Sequence, residues 1–165
     1  MIALVDEKKR VWQPREMRLC SEYCSLYHYK GRILTRVRLG PFPSELLKYV
    51  SAEEEANMVT VWRRWADAIV IYPDKVILIE CAIRPNPGKI AQLELYKQLY
   101  YKTPEFDSIK HLPLEMELVY AIEDPATVEL AKQKGIRTVY YKPIWIEEYI
   151  NQLYPRERRG PIQPI

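Results

Sequence analysis

The 165-residue sequence has no long apolar run, no secretory signal and none of the common nucleotide-binding motifs. No uninterrupted apolar stretch approaches the ~18 residues that a membrane span requires, so we expect no membrane segment. The first residues, MIALVDEKKR, lack the basic-then-apolar order of a signal peptide. The P-loop, the glycine-rich dinucleotide motif and the G-x-S-x-G nucleophile motif are all absent. The length and the 48% hydrophobic content instead suit one globular domain with a proper core.

Cysteine and histidine are also scarce. The three cysteines, Cys20, Cys24 and Cys81, form no C-x-x-C pair, and their odd number and spacing favour small core residues over zinc ligands. The two histidines, His28 and His111, have no motif around them, which is typical of structural histidines. Free cysteines are typical of reducing compartments. We therefore expect a cytoplasmic location, or a virion that is assembled in such a compartment.

Phenylalanine is rare, whereas other aromatic residues are abundant. The chain has 13 tyrosines and 4 tryptophans against 2 phenylalanines, and amphipathic rings of this kind are enriched at protein interfaces. A protein partner or a homo-oligomer is therefore expected. The net charge of +3 does not by itself indicate nucleic acid, but basic residues cluster at Lys30, Arg32, Arg36 and Arg38 and again at Arg156, Arg158 and Arg159. These clusters are compatible with phosphate contact, and an ordinary solvated surface is the alternative.

We interpret residues 1–154 as a single domain and residues 155–165 as an extended, basic, proline-rich tail. Within the domain, residues 1–43 are an N-terminal extension of strands and residues 44–154 are the core, although residues 1–30 could also form a short helix. Three prolines prevent the tail from forming a regular helix. Because an extended terminus is ordered only when it docks, we expect this tail to contact a neighbouring subunit or a partner.

The patterns of the domain alternate between strands and helices. RILTRVRL (32–39) has period two and predicts a half-buried strand with Ile33, Thr35, Val37 and Leu39 on one face. Ser44 begins a helical stretch that extends to about Trp65. Asp124 and Pro125 predict the cap and the first residue of a helix that ends at Gly135. The remaining predicted strands are 66–72, 75–83, 117–123 and 137–141, and the remaining predicted helices are 89–101 and 144–154. This order indicates an α/β fold with a central sheet covered by helices.

Two acids lie in the first pair of these strands, ADAIVIY and KVILIECAI. If the hairpin turns through Tyr72 to Lys75, Ile71 pairs with Val76 and Asp67 lies directly opposite Glu80, on the same face. Two carboxylates held so close repel each other unless a positive charge lies between them. A divalent cation such as Mg²⁺ or Mn²⁺ suits hard oxygen ligands. The alternative is that each acid is solvated at a strand end, which is easier for Asp67 than for Glu80.

The stretch from Asp67 to Tyr96 resembles the core of the PD-(D/E)XK nuclease-like superfamily, especially its branch with a Q-x-x-x-Y helix. The resemblance lies in the order of an acid, a hairpin, a second acid and a helix that carries Gln92 and Tyr96. It implies a restriction-endonuclease-like central mixed sheet flanked by helices, Asp67 and Glu80 as ligands of Mg²⁺ or Mn²⁺, and DNA as the substrate. One position departs from the family, since Ala82 occupies the place of the lysine that follows the second acid.

Two basic residues could replace that lysine. Arg84 lies on the same strand face and would serve only as an electrostatic stabiliser, because it stays protonated. Lys89 shares a helical face with Gln92 and Tyr96, and lysines on another element occur in the superfamily, although Lys89 could equally be a surface residue. The family often supplies a third acid from the helix before the hairpin. Glu54 is the residue chosen for this role from the run at 53–55, which the helix dipole would also explain.

Two classes of function remain open from the sequence. The first is a metal-dependent nuclease that cuts DNA through Asp67, Glu80, Lys89, Gln92, Tyr96 and Glu54. The second is a catalytically degenerate nuclease fold that serves as a structural module, for example a phage head-completion or connector protein. Ala82 and the tyrosine excess favour the second class, whereas the agreement of element order favours the shared fold rather than an activity.

Overall fold

The computed structural model describes residues 7–41, 44–49, 51 and 64–154. Within them, one five-stranded sheet has the order β1-β2-β3-β4-β5. Its strands are β1 (Arg32–Leu39), β2 (Arg64–Ile71), β3 (Val76–Ala82), β4 (Leu114–Tyr120) and β5 (Arg137–Tyr140). The first three strands are antiparallel neighbours, and β3, β4 and β5 are parallel neighbours. The sheet is therefore mixed.

In the described part of the chain, four α-helices cover the two faces of the sheet: α1 (Glu7–Tyr27), α2 (Pro87–Tyr101), α3 (Pro125–Gln133) and α4 (Ile144–Leu153). Side chains of α1 and α4, including Leu19 and Ile146, form one hydrophobic core with one sheet face. Side chains of α2 and α3, including Leu93 and Ala131, form a second core on the opposite face. Short 3₁₀ helices occupy Ser44–Tyr49 and Pro104–Ile109. The expected α/β architecture, a mixed sheet flanked by helices, is confirmed, and it is consistent with the restriction-endonuclease-like arrangement expected from the sequence.

Several elements form where local chemistry favours them. Strand β1 spans the predicted residues, and the backbone N–H of Thr127 donates to the Asp124 side chain at 3.3 Å, which caps α3. Gly135 follows this helix with a φ of 73°, in the left-handed region that glycine adopts without strain. No helix in the described ranges is long and apolar enough to cross a membrane.

The N-terminal region differs from the sequence expectation. A 21-residue helix, α1, occupies most of the segment that was expected to contain strands or a short helix. Its buried residues Leu19, Cys20, Tyr23 and Cys24 recur with helical spacing, so one stripe packs against the sheet. The three cysteines are free and buried, as expected of core residues.

The helix predicted from Ser44 to about Trp65 is also partly wrong. The structure has a short 3₁₀ helix at its start, and β2 begins at Arg64, so Trp65 lies in a strand. Residues 50 and 52–63, which include Glu54, lie outside the described residues, as does the tail over residues 155–165.

The prediction that alternate side chains of β1 share one face of the sheet is wrong beyond the centre of the strand. Ile33 packs on the α1 side of the sheet, whereas Val37 and Leu39 pack on the α2 side. Arg36 has a φ of 51°, and this left-handed residue interrupts the alternation of side chains along the strand. Arg36 lies between the pairs Thr35–Ala68 and Val37–Ala66, and therefore opposite Asp67. The distortion is located beside the first acid of the predicted site.

Candidate active site

Asp67 and Glu80 lie where the regular pairing of β2 and β3 ends. The ladder joins Ile71 to Val76 and continues to the pair Ala68–Ile79, which confirms the predicted register. The next positions on the two strands are Asp67 and Glu80. Glu80 is 2% exposed, within a strand that is buried along its whole length, whereas Asp67 is half-buried.

Side chains replace the backbone ladder beyond this point. The Asp67 N–H donates to Glu80 Oε1 at 3.1 Å, and the Cys81 N–H donates to Asp67 Oδ2 at 2.9 Å. Each strand thus gives one amide hydrogen to the carboxylate of the other. These reciprocal bonds fix both acids and satisfy two N–H groups that the ladder leaves free.

Lys89 brings a positive charge to this pair. The residue lies in the first turn of α2, whose N-cap Asn86 accepts the Lys89 N–H. Lys89 Nζ lies 3.1 Å from Glu80 Oε2 and 3.8 Å from Asp67 Oδ2, and its side chain is only 16% exposed. Ala82 is fully buried and Arg84 is exposed, so among the described residues Lys89 is the cation that contacts both acids.

A third carboxylate comes from α1. Glu16 Oε2 lies 4.0 Å from Lys89 Nζ, and Glu16 Oε1 accepts the Ile83 N–H at 3.3 Å. Glu16 is not the third acid expected from the sequence, since the family resemblance places that acid in the run at 53–55, before the hairpin. The signal that could have found it is the helical spacing of Leu19, Cys20, Tyr23 and Cys24, because Glu16 precedes Cys20 by four residues.

The three acids and the lysine shift one another's charge states. Burial, followed by the charge of Asp67, raises the pKa of Glu80 to about 8, although Lys89 opposes this shift. Burial also raises the pKa of Glu16, again against the field of Lys89. Burial alone would lower the pKa of Lys89, but the charges of Glu80, Asp67 and Glu16 outweigh it and raise that pKa. Lys89 therefore stays protonated. The ionised form of Glu80 is only partly stabilised by Lys89 and by the Asp67 amide.

The two motif residues of α2, Tyr96 and Gln92, differ in burial. Tyr96 is buried, and its pKa is raised by burial and then by the charge of Glu80, which indicates that its hydroxyl lies within the field of the cluster. Gln92 is exposed, beside the buried stripe of Ile90, Leu93 and Tyr96. The expected common face of Lys89, Gln92 and Tyr96 is therefore wrong for Gln92, because the helix turns Leu93 rather than Gln92 toward the sheet.

The cluster has the donor chemistry of a magnesium site with few protein ligands. No three His, Cys, Asp or Glu side chains in the described part of the chain are arranged to hold a metal ion. Mg²⁺, however, commonly takes one or two carboxylates and completes its shell with water and phosphate. Asp67 and Glu80 supply two hard oxygen donors, and because burial and the charge of Asp67 raise the pKa of Glu80, a cation that binds there displaces the proton of Glu80. These residues fit such an ion.

Comparisons with known proteins give only distant structural likenesses. No family model matches the sequence, and no curated protein matches it. The chain is similar to a repair endonuclease from Pyrococcus abyssi at 13% identity and a TM-score of 0.38, over 57% of this chain and 48% of that one. It is also similar to a protein of unknown function at 10% identity and a TM-score of 0.46, over 87% and 70% of the two chains. The chain thus spans about half the length of the repair endonuclease, and at these scores neither likeness assigns a residue role.

Proposed function

We propose that this protein is a metal-dependent phosphodiesterase that hydrolyses DNA at the cluster of Asp67, Glu80 and Lys89. The observation that carries the proposal is the position of Lys89 Nζ, 3.1 Å from Glu80 and 3.8 Å from Asp67. A lysine beside two strand-borne acids supplies the charge that Ala82 cannot supply. It arrives from the next helix rather than from the strand itself.

Each residue of the cluster has a different role in the proposed hydrolysis. Asp67 and Glu80 would hold Mg²⁺ or Mn²⁺, which when bound lowers the pKa of a water molecule and neutralises phosphate charge. Lys89 stays protonated, so it donates hydrogen bonds to a phosphate oxygen and stabilises the negative charge that develops there. The reciprocal amide bonds of Asp67 and Glu80 hold both carboxylates in place before the substrate arrives.

Glu16 is suited to accept a proton from the attacking water. Its pKa is raised by burial, and a carboxylate with a raised pKa is a better base near neutral pH than an ordinary one. Its Oε1 is fixed by the Ile83 amide, and its Oε2 faces Lys89 at 4.0 Å. Tyr96, within the field of the same charges, would orient a phosphate oxygen or a water molecule.

A second candidate function, an assembly module built on a degenerate nuclease fold, is favoured by one surface feature. Leu26, Tyr27 and Tyr29 are 59%, 61% and 69% exposed at the end of α1. Exposed amphipathic rings suit a protein partner or a second copy of the chain. A phage head-completion or connector protein is one form of this proposal, with a virion rather than a cytoplasmic location.

Metal binding separates the two proposals. Calorimetric titration with Mn²⁺ should show binding to the wild-type protein that strengthens as the pH rises from about 6 to about 8, since the ion must displace a proton from Glu80. Glu80→Gln and Asp67→Asn should each weaken binding by at least about tenfold. Glu115→Gln is the matched control, because Glu115 is exposed and pairs with Lys75 near the hairpin turn, away from the cluster.

The metal titration and a cleavage assay also test the assembly-module alternative. Wild-type protein that binds no Mn²⁺ and cleaves neither plasmid nor single-stranded DNA would overturn the phosphodiesterase and leave the assembly module. Equal loss of binding in Glu115→Gln and Glu80→Gln would show that the cluster is not the metal site.

A further inference from the structure

A groove of about 670 Å³ runs along β1 beside the candidate active site. Three arginines, Arg32, Arg36 and Arg38, line it together with Trp65 and with apolar side chains of the sheet and the second 3₁₀ helix. One acid, Glu105, also lines it. Among the described residues that line the groove, three guanidinium groups face one carboxylate, and this excess of positive charge suits a phosphate backbone.

The arginines of the groove are arranged around an aromatic ring. The guanidinium carbon of Arg38 lies 4.5 Å from the centroid of the Trp65 ring, and that of Arg36 lies 5.2 Å from it. Trp65 is 37% exposed, so part of the indole remains accessible. Planar guanidinium groups stacked on an indole present flat surfaces on which a nucleic-acid base can continue the stack.

Two residues of the groove, Trp65 and Arg36, lie next to Asp67 in the sheet. Trp65 precedes Asp67 by two residues on β2, and Arg36 lies opposite Asp67 on β1. Arg36 and Asp67 also line a smaller hollow of about 150 Å³ between the sheet and α1. Arg36 therefore belongs to both spaces, and its left-handed backbone turns β1 at the point where they meet. A strand bound along the groove would pass from Trp65 and Arg38 to the site through Arg36.

We propose that this groove binds a single strand of DNA, with an unpaired base stacked at Trp65 and the backbone phosphates on Arg32, Arg36 and Arg38. Bases in an intact duplex are stacked on both sides and cannot stack on a side chain without leaving the helix. The groove therefore selects single-stranded DNA, or a single-stranded overhang, over a blunt duplex. This proposal rests on the phosphodiesterase function and specifies the substrate of that site.

Binding is measured without metal, so that it does not depend on catalysis. In buffer with EDTA, the fluorescence anisotropy of a labelled oligo-dT should report binding by the wild-type protein that is on the order of tenfold tighter than binding of a blunt duplex of the same length. Trp65→Ala should weaken oligo-dT binding on the order of tenfold, and Trp65→Phe should retain most of it. Arg38→Gln should weaken binding and reduce the slope of log K against log salt by about 0.7.

The matched control is Arg18→Gln. Arg18 also stacks on a tryptophan, 4.4 Å from the ring centroid of Trp145, but it lies on the surface formed by α1 and α4 and does not line the groove. Circular dichroism of each variant checks that the fold is retained. Arg18→Gln should bind oligo-dT like the wild type, and an equal loss in Arg18→Gln and Arg38→Gln would overturn the proposal.

The remaining outcomes distinguish the groove from the catalytic function. Metal-dependent cleavage together with unchanged oligo-dT binding in Trp65→Ala and Arg38→Gln would overturn the groove and leave the phosphodiesterase. Oligo-dT binding that depends on Trp65 and Arg38 without any cleavage would support the groove and count against the phosphodiesterase. Equal affinity for a poly-glutamate peptide and for oligo-dT would also overturn it, because the groove would then recognise negative charge alone.

Discussion

Glu80 is a charged residue within a fully buried strand, and its surroundings differ from those of the exposed acids. It receives one amide hydrogen from Asp67 and one ammonium contact from Lys89. Burial and the neighbouring Asp67 nevertheless raise its pKa to about 8. A carboxylate kept at this energetic cost is typical of a functional position, because function and stability often oppose each other at such sites.

The stability of the protein should therefore respond to Glu80 in a pH-dependent way. Because the folded-state pKa is raised, the stability linked to Glu80 is present at low pH and is lost as the pH rises toward about 8. In metal-free buffer, Glu80→Gln should melt near the wild-type temperature at about pH 5 and several degrees above it at about pH 9. Differential scanning calorimetry checks this. Parallel melting curves for Glu80→Gln and the wild type across this range would contradict the account, and Glu115→Gln is the control expected to run parallel.

Individual site residues were predictable from the sequence to different degrees. The opposition of Asp67 and Glu80 followed from counting residues across a short turn, because strand register is discrete. Helical spacing left Lys89 either at the acids or on the surface, and the structure places it at the acids. The expected common face failed for Gln92, since packing decides which side of a broad stripe is buried. Helical spacing could have placed Glu16 on the buried stripe of α1, but its approach to Lys89 depends on tertiary packing, which no motif of this helix indicates.

At the scale of elements, α1 connects two parts of the molecule. Near its middle it places Glu16 at the site, and near its end a buried network joins it to β4. Tyr23 donates to Glu117 Oε1 at 2.5 Å, and His28 Nε2 lies 3.0 Å from the same oxygen. His28 Nδ1 lies 2.8 Å from the hydroxyl of Tyr72 in the hairpin turn. This network fixes the end of α1 and the β2–β3 turn relative to each other.

The network should stabilise the protein only while Glu117 is ionised. Burial alone would raise the pKa of Glu117, but the hydrogen bonds from His28 and Tyr23 outweigh it and hold the pKa below its ordinary value. A group whose folded-state pKa is lowered stabilises the protein at pH values above its ordinary pKa. This stabilisation is lost as the pH falls through the folded-state pKa. Tyr23→Phe should therefore reduce the free energy of unfolding by about 1.5–3 kcal/mol at neutral pH, and by less in acid.

Urea unfolding at several pH values measures this difference. Tyr29→Phe is the matched control, because Tyr29 lies just after α1 and is 69% exposed. A loss in Tyr29→Phe as large as that in Tyr23→Phe, or a loss in Tyr23→Phe that does not change with pH, would show that the Glu117 network does not anchor the helix.

Elements with local signals were predicted well, and those set by tertiary contacts were not. The strands before and after α3 and the cap of that helix follow from turn residues and apolar runs that act over a few positions. The prediction of which β1 side chains share a face was wrong because a single residue, Arg36, adopts a left-handed conformation that no local sequence pattern predicts. Helix α1 was ambiguous because its mixture of tyrosine, arginine and leucine suits a strand or a helix. Its conformation depends on packing one stripe of side chains against the sheet.

At the scale of the whole molecule, the site exists because two opposite layers meet at one end of the sheet. Helix α1 packs on one face and α2 on the other, yet Glu16 and Lys89 approach to 4.0 Å beside β2 and β3. The acids that these strands carry thus meet a third carboxylate from one layer and a cation from the other. The order of elements predicts the α/β fold and the family resemblance implies the mixed sheet, whereas this convergence depends on the packing of both layers.

The cleavage rate of Lys89→Gln tests the central claim most directly. With Mn²⁺ or Mg²⁺, the wild-type protein should cleave single-stranded DNA, and Lys89→Gln should still bind metal but cleave at least about a hundredfold more slowly, because a positioned charge at the phosphate is lost. Lys75→Gln, which removes a half-buried lysine paired with Glu115 at the hairpin turn, should cleave like the wild type. Wild-type rates in Lys89→Gln, or no cleavage by wild-type protein that binds the metal, would contradict the account.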